Sequence, residues 1–134
     1  MMRKREVLKR TVGSYRQPIP LGARIDNVAF SSSILGWDPT TKQLPEDSKV
    51  QAELLFRHIK NFTEQLKTGP ESIVYALFEF QPERYDECIK WINEEWLKMF
   101  PDENDRPARH SIAWIPLEPG SGTAYFRVEI VVVL

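Results

Sequence analysis

Cysteine is nearly absent. One residue, Cys88, in 134 excludes an internal disulfide and suits a reducing compartment. Histidine is as scarce. His58 and His110 are the two present, and with one cysteine at no ligand spacing they make a structural zinc site an unlooked-for feature. No motif calls for a cofactor. An excess of one charge is also missing: the net charge is −1 and the pI about 6.1. Without a basic stripe, the electrostatic footprint of a nucleic-acid or anionic-membrane binder is absent. Long hydrophobic runs are missing too. The longest covers residues 130–134, far short of the roughly 20 that a membrane helix needs. The basic stretch 1–10 has no apolar core, which argues against a secretory signal. Glu6 and the lack of serine there argue against a mitochondrial presequence. The cytoplasm is the expected location, with the mitochondrion as the alternative.

What is present suits one globular domain over residues 1–134, with 42% hydrophobic and 28% charged residues. Residues 6–12 read as a first strand, 13–24 as a loop broken by Gly and Pro, and 24–33 as a second strand. Residues 46–67 form the clearest helix. Asp47 or Ser48 caps it, and Val50, Leu54, Leu55, Ile59, Phe62 and Leu66 make one apolar stripe. Residues 72–80 are mostly β-formers without alternation, the pattern of a strand covered on both faces. A second helix covers 83–100, with Tyr85, Ile89, Ile92, Trp96 and Phe100 on one side. Two strands follow, at 110–116 and 123–133. The order β-β-α-β-α-β-β predicts an α/β (α+β) fold, a mixed sheet with both helices on one face. The other face then meets solvent or another subunit, and the apolar 130–134 end favours a subunit.

The chemistry concentrates late in the chain. Arg127 and Glu129 sit two apart in a strand of Val and Ile, so both point to one face. A charge there has to be exposed, paired or used. Arg109 follows Pro107 and Ala108. A guanidinium is a planar fork that grips a carboxylate at two points, which suggests a site for a small carboxylate-bearing molecule. The plainer alternative is a surface arginine beside the acidic residues Asp102 and Asp105. Cys88 reads as a core thiol, His58 as a solvated helix residue, and His110 as pointing away from Arg109. Ser31, Ser32 and Ser33 have no histidine at motif spacing, so they do not read as nucleophiles.

Several short segments in sequence order resemble the YjgF/RidA family, also called L-PSP or enamine/imine deaminase. Gly13-Ser-Tyr-Arg-Gln is similar to the family's Gly-Pro-Tyr-x-Gln opening, and Phe30-Ser-Ser-Ser to its Ser-Gly strand end. Trp37-Asp-Pro-Thr-Thr-Lys-Gln-Leu is similar to Asp-Pro-x-Thr-Gly-x-Leu. Asn93-Glu-Glu-Trp-Leu-Lys-Met-Phe resembles Asn-x-x-Tyr-x-x-Phe-Phe, and Pro107-Ala-Arg-His-Ser resembles Pro-Ala-Arg-Ser. The resemblance implies a chorismate-mutase-like fold and a homotrimer with sites between subunits. It implies cofactor-free hydrolysis of reactive enamines and imines, such as 2-aminoacrylate and 2-iminobutyrate, to 2-keto acids and ammonia. By position, Arg109 would bind the substrate carboxylate, and Tyr15, Ser32 and Asn93 would line the pocket. The chain departs from the pattern at Ser32-Ser-Ile34, where the family has Ser-Gly-Gln. In the last strand the family's water-positioning Glu falls on Arg127 in one register and on Glu129 in another.

Three functions follow as expectations. One is an enamine/imine deaminase with Arg109 and Glu129 as its working pair. Another is a non-catalytic trimeric carboxylate binder, with Arg127 in the catalytic position. The family's ribonuclease label is the third, and the pI argues against it.

Overall fold

The computed structural model describes residues 4–10, 18–115 and 124–134. Tyr15, the Gly13 opening and the connection 119–123 lie outside the described residues. The elements are β1 (Glu6–Leu8), β2 (Gly22–Ile25), β3 (Val28–Ser31), α1 (Ser48–Gln65), β4 (Ile73–Phe80), α2 (Tyr85–Met99), β5 (Ala108–Ala113) and β6 (Phe126–Val133). Single-turn 3₁₀ segments at Pro70–Ser72 and Pro82–Arg84 precede β4 and α2. The strands form one six-stranded sheet in the order β1-β2-β3-β6-β4-β5. Only the β4–β5 pair is parallel, joined through α2.

There is one strand more than the sequence suggests. The stretch 24–33 is not a single strand. Asp26 adopts φ 53°, which a short polar side chain tolerates, and the chain reverses so that Ile25 pairs with Val28. The strand β2 accordingly starts at Gly22, inside the expected loop. The helix α1 starts at Ser48 and not at residue 46, because the Asp47 carboxylate accepts the Lys49 N–H at 2.8 Å. Leu54, Leu55, Ile59, Phe62 and Leu66 are buried as expected, but Val50 is exposed. Lys67, at φ 58°, and Gly69-Pro70 stop the helix. The strand β5 begins at Ala108, two residues earlier than expected.

Alternation along the two central strands sorts the sheet into faces. Ala76, Phe78 and Phe80 of β4 and Phe126, Val128, Ile130 and Val132 of β6 are buried beneath the helices. Phe78 stacks edge-on to Trp96 with centroids 6.0 Å apart. The other face is open along much of its length, and Val7, Ile25, Phe30, Ile112 and Val133 stand exposed. A second, small core of Leu35, Trp114 and Ala124, with Trp37 and Leu44 against it, lies at one end.

The segment carrying Leu35 and Trp37 lies against α1. Gly36 is buried so tightly on it that an added Cβ would run into the Gln51 carbonyl oxygen. The fully buried Gln51 ties three pieces together: its Nε2 donates to the Pro45 carbonyl at 2.6 Å and its Oε1 accepts the Tyr125 N–H at 3.3 Å. Gly36→Ala is therefore expected to lower stability by about 1–3 kcal/mol, as overpacking does, read as a fall in the urea midpoint at unchanged slope.

Candidate functional site

Arg109 stands on the helix side of the edge strand. It pairs in register with the buried Ala76 of β4, and its guanidinium lies 5.0 Å from the Phe78 ring centroid and 5.1 Å from that of Trp96. Nη1 donates to the Asn93 side-chain oxygen at 2.8 Å. Asn93 is on the exposed side of α2, as its place in the helix suggests, yet it fixes the orientation of the arginine. Two aromatic rings and an amide hold the group half-buried without neutralising it. Among the described residues no carboxylate pairs with it, those of Asp102 and Asp105 included. Burial lowers its pKa, opposed by Tyr85, but a guanidinium remains protonated at any physiological pH. The result is a fixed cation with donors free for a planar anion.

Arg127 and Glu129 do share a face, and it is the open one. Arg127 pairs with Glu79, and Glu129 with Leu77, in an unshifted antiparallel ladder. Leu77 in turn pairs with His110, which confirms that His110 points away from Arg109. Glu129 is exposed, and no described side chain pairs with it. Arg109 and Glu129 are thus on opposite sides of the sheet within one chain. Ser32 is farther still. It follows β3, where its N–H donates to the Leu21 carbonyl at 2.8 Å, and β6 and β4 separate β3 from β5, about 14 Å at the usual strand spacing. Among the described residues of the expected set, one chain therefore joins only Arg109 and Asn93.

A groove of about 680 Å³ lies elsewhere, between the Pro70–Ser72 turn, the end of α2 and residues 101–107. It carries Glu71, Asp102, Asp105 and Arg106, but Arg106 is occupied by the Phe100 carbonyl at 2.9 Å and Arg109 does not line it. The groove has size without a convergent site, so the Arg109 geometry is the stronger indicator. Among the described residues no three His, Cys, Asp or Glu side chains gather as metal ligands. Cys88 is fully buried, and its thiol is pushed up to about 11, mainly by burial, with Glu87 adding, which makes it inert.

No protein-family model and no curated protein sequence matches the chain. Solved structures do. RidA from an Antarctic Psychrobacter superposes with a TM-score of 0.77 at 21% identity, over 96% of this chain and 98% of that one. The YjgF gene product of E. coli gives 0.77 at 18%, over 96% and 98%. E. coli TdcF with bound serine gives 0.79 at 17%, again over 96% and 98%. This chain has the YjgF/RidA fold. At these identities the likeness is one of fold, and the side chains have to be read from their own surroundings.

On this RidA fold the β6 arginine has an unforeseen partner. Although Arg127 and Glu129 share a face, the Arg127 Nε and Nη2 donate to the two carboxylate oxygens of Glu79 at 3.1 and 3.0 Å, and its guanidinium lies 4.4 Å from the Trp114 ring centroid. Glu79 is 8% exposed. Its signal in the sequence was a lone acid in an apolar run, but its partner is 48 residues away. His58 is a further departure. It is buried and not solvated, with Nε2 at 2.7 Å from the Trp37 carbonyl. A buried pair contributes little over a well-packed apolar one, but losing one partner is costly. Arg127→Met alone is expected to destabilise by about 3–5 kcal/mol. Arg127→Met with Glu79→Leu should recover most of that, checked by a double-mutant cycle in urea.

Proposed function

We propose that the chain forms a homotrimer that takes a small carboxylate-bearing metabolite at the seams between copies. There it hydrolyses 2-enamine and 2-imine acids, such as 2-aminoacrylate and 2-iminobutyrate, to 2-keto acids and ammonia. The observation that carries this reading is Arg109, fixed by Asn93 and two rings and with no counter-ion among the described residues. Opposite it in charge is Glu129, exposed on the other side of the sheet. These two charges on different surfaces of one chain meet when one copy lays its β5 edge on the open face of the next. That contact also covers apolar side chains, of which Phe30 at 58% exposure stands out.

At such a seam Arg109 clamps the carboxylate and sets the C=N carbon in place. A water oriented by Glu129 of the neighbouring copy adds to that carbon, and the nitrogen takes up a proton. The carbinolamine then breaks its C–N bond to give the keto acid and ammonia. Tyr15 and Ser32 complete the lining in this reading. No cofactor takes part. TdcF, one of the structures sharing this fold, holds serine, which is compatible with a site for small amino- and imino-acids. Among the described residues no helix is long and apolar enough to cross a membrane. The proposed setting is the cytoplasm, with the mitochondrion as the alternative.

A second reading rests on the Arg127–Glu79 pair. If Arg127 holds the position of the water-directing acid, its charge is already consumed by Glu79. The trimer then binds its carboxylate without turning it over.

The deciding assay generates 2-iminobutyrate in situ and follows keto-acid formation. Wild type should accelerate it. Arg109→Ala should lower kcat/KM by about 10- to 150-fold, the worth of a hydrogen bond to a charged group. Glu129→Gln should lower kcat by about 100-fold or more. Acceleration by none of the proteins, with saturable binding of a 2-keto acid that Arg109→Ala removes, selects the second reading. Light scattering should give the mass of three chains for wild type, and Phe30→Asp should shift it toward one. A wild-type monomer at micromolar concentration removes both readings.

A further inference from the structure

Four aromatic rings stand in a row where α2 meets β4. Trp96 meets Phe78 with centroids 6.0 Å apart, Phe78 meets Phe80 at 6.2 Å, and Phe80 meets Tyr85 at 5.6 Å, edge-on. The first three are buried, while Tyr85 is 46% exposed. The Arg109 guanidinium lies against Phe78 and Trp96, at one end of the row, and Tyr85 makes the other end. Burial lowers the Arg109 pKa and Tyr85 raises it, so the phenol is within electrostatic reach of the cation. As the first residue of α2, Tyr85 shields Phe80 from water, but that contact leaves much of its ring uncovered.

The strand beside this row is bare. β5 runs parallel to β4, with Ser111 level with Phe78 and Ala113 level with Phe80. Two and four residues beyond Arg109, they share its side of the sheet. Both are small and exposed, so among the described residues nothing roofs this edge. The result is a trough along β5 from Arg109 to Ala113, about 13 Å at the usual strand rise, with Tyr85 level with its far end. Glu83, Asp86 and Glu87 come from the turns that carry Tyr85, and Arg84 is engaged by Glu87 at 3.2 Å. A second carboxylate in the trough would meet those acids, and an uncharged ring would not.

We propose that Tyr85 is the specificity residue of the Arg109 site, and that with Ser111 and Ala113 it takes a neutral aryl side chain carried a few carbons from the carboxylate. The favoured class is then arylalkyl 2-imino and 2-keto acids, ahead of their short aliphatic relatives. The inference rests on the carboxylate reading of Arg109 and holds whether the site turns its ligand over or only binds it. Two effects supply the preference. The ligand ring packs against the exposed flank of Tyr85, and its apolar surface leaves water for the trough. Reach agrees as well. From carboxylate to ring, 2-keto-4-phenylbutyrate spans about 7 Å, the two-residue rise from Arg109 to Ser111. Larger side chains at 111 or 113 would fill the space that the ring needs.

The test is titration calorimetry of the full chain with two stable probes, 2-ketobutyrate and 2-keto-4-phenylbutyrate, which differ by the ring. Wild type should bind the phenyl compound about 10-fold more tightly. Tyr85→Phe keeps the ring and should keep that ratio. Tyr85→Ala removes the wall and Ser111→Leu fills the trough, and each should bring the ratio close to one. Far-ultraviolet ellipticity checks that the variants fold. Should Tyr85→Ala fail to fold, Ser111→Leu, at an exposed position, decides alone. Equal affinities in wild type, or a ratio that a folded Tyr85→Ala or Ser111→Leu leaves unchanged, overturn this proposal while the Arg109 reading stands. Binding of neither probe, or binding that Arg109→Ala leaves intact, overturns the Arg109 reading and the role of Tyr85 with it.

Discussion

The antiparallel pairing of β4 with β6 is the constraint on which the rest depends. These strands lie next to each other inside the sheet, and their ladder runs unshifted from Tyr75 opposite Val131 to Phe80 opposite Phe126. One face of that ladder holds the phenylalanines of the core. The other holds Arg127, Glu79 and Glu129. A slip of one residue would turn every one of these side chains over, burying Glu129 among aromatic rings and exposing Phe126. The penalty for that exchange fixes the register, and the register assigns each charged group its side. Catalytic and structural arguments about this chain therefore rest on the same set of hydrogen bonds.

Much of the architecture was legible because it is local. The stripe from Leu54 to Leu66 repeats at helical spacing, Asp47 carries a capping carboxylate, and Gly69-Pro70 ends the helix within a few residues. The same-face placement of Arg127 and Glu129 needed only the two-residue period of a strand. The turn at Asp26 was less visible, because an Asp-Asn pair within a run of small and apolar residues competes with continuing the strand. The partner of Arg127 was not visible. Glu79 comes from another strand 48 residues away, and nothing near either residue specifies the pairing. The burial of His58 was hidden for a similar reason. Its neighbours on α1 are charged, while what covers it is a segment from the other side of α1's own N-cap. The arginine at 109 could be singled out by its chemistry, but its two aromatic supports come from different elements.

The site has an unusual division of labour between faces. The sheet separates its fixed cation from its exposed acid by its own thickness, and no rotamer change reunites them. A fold arranged in this way has no complete carboxylate-and-acid site as a lone chain. Isolated, it offers the Arg109 guanidinium on one side of the sheet and the Glu129 carboxylate on the other. Among the described residues, the groove beside Arg106 accordingly holds neither Arg109 nor Glu129. The packing of Trp114 against Leu35, Trp37 and Leu44 adds another layer. It places an aromatic plane and a neutralised ion pair where a more polar wall would leave the end of the sheet open to water.

The position of β6 has a consequence for how the protein is made. It comes after the other five described strands in sequence but is an inner strand of the sheet, with β3 on one side and β4 on the other. Until residues 126–133 leave the ribosome, the hairpins at one end and the helix-linked strands at the other have no common seam. Two half-sheets wait, each with an unpaired edge next to what will become the core. Such edges attract other chains, so the interval between synthesis of α2 and of β6 is when this protein most needs a chaperone. The eight residues of β6 then join both halves and the core beneath them.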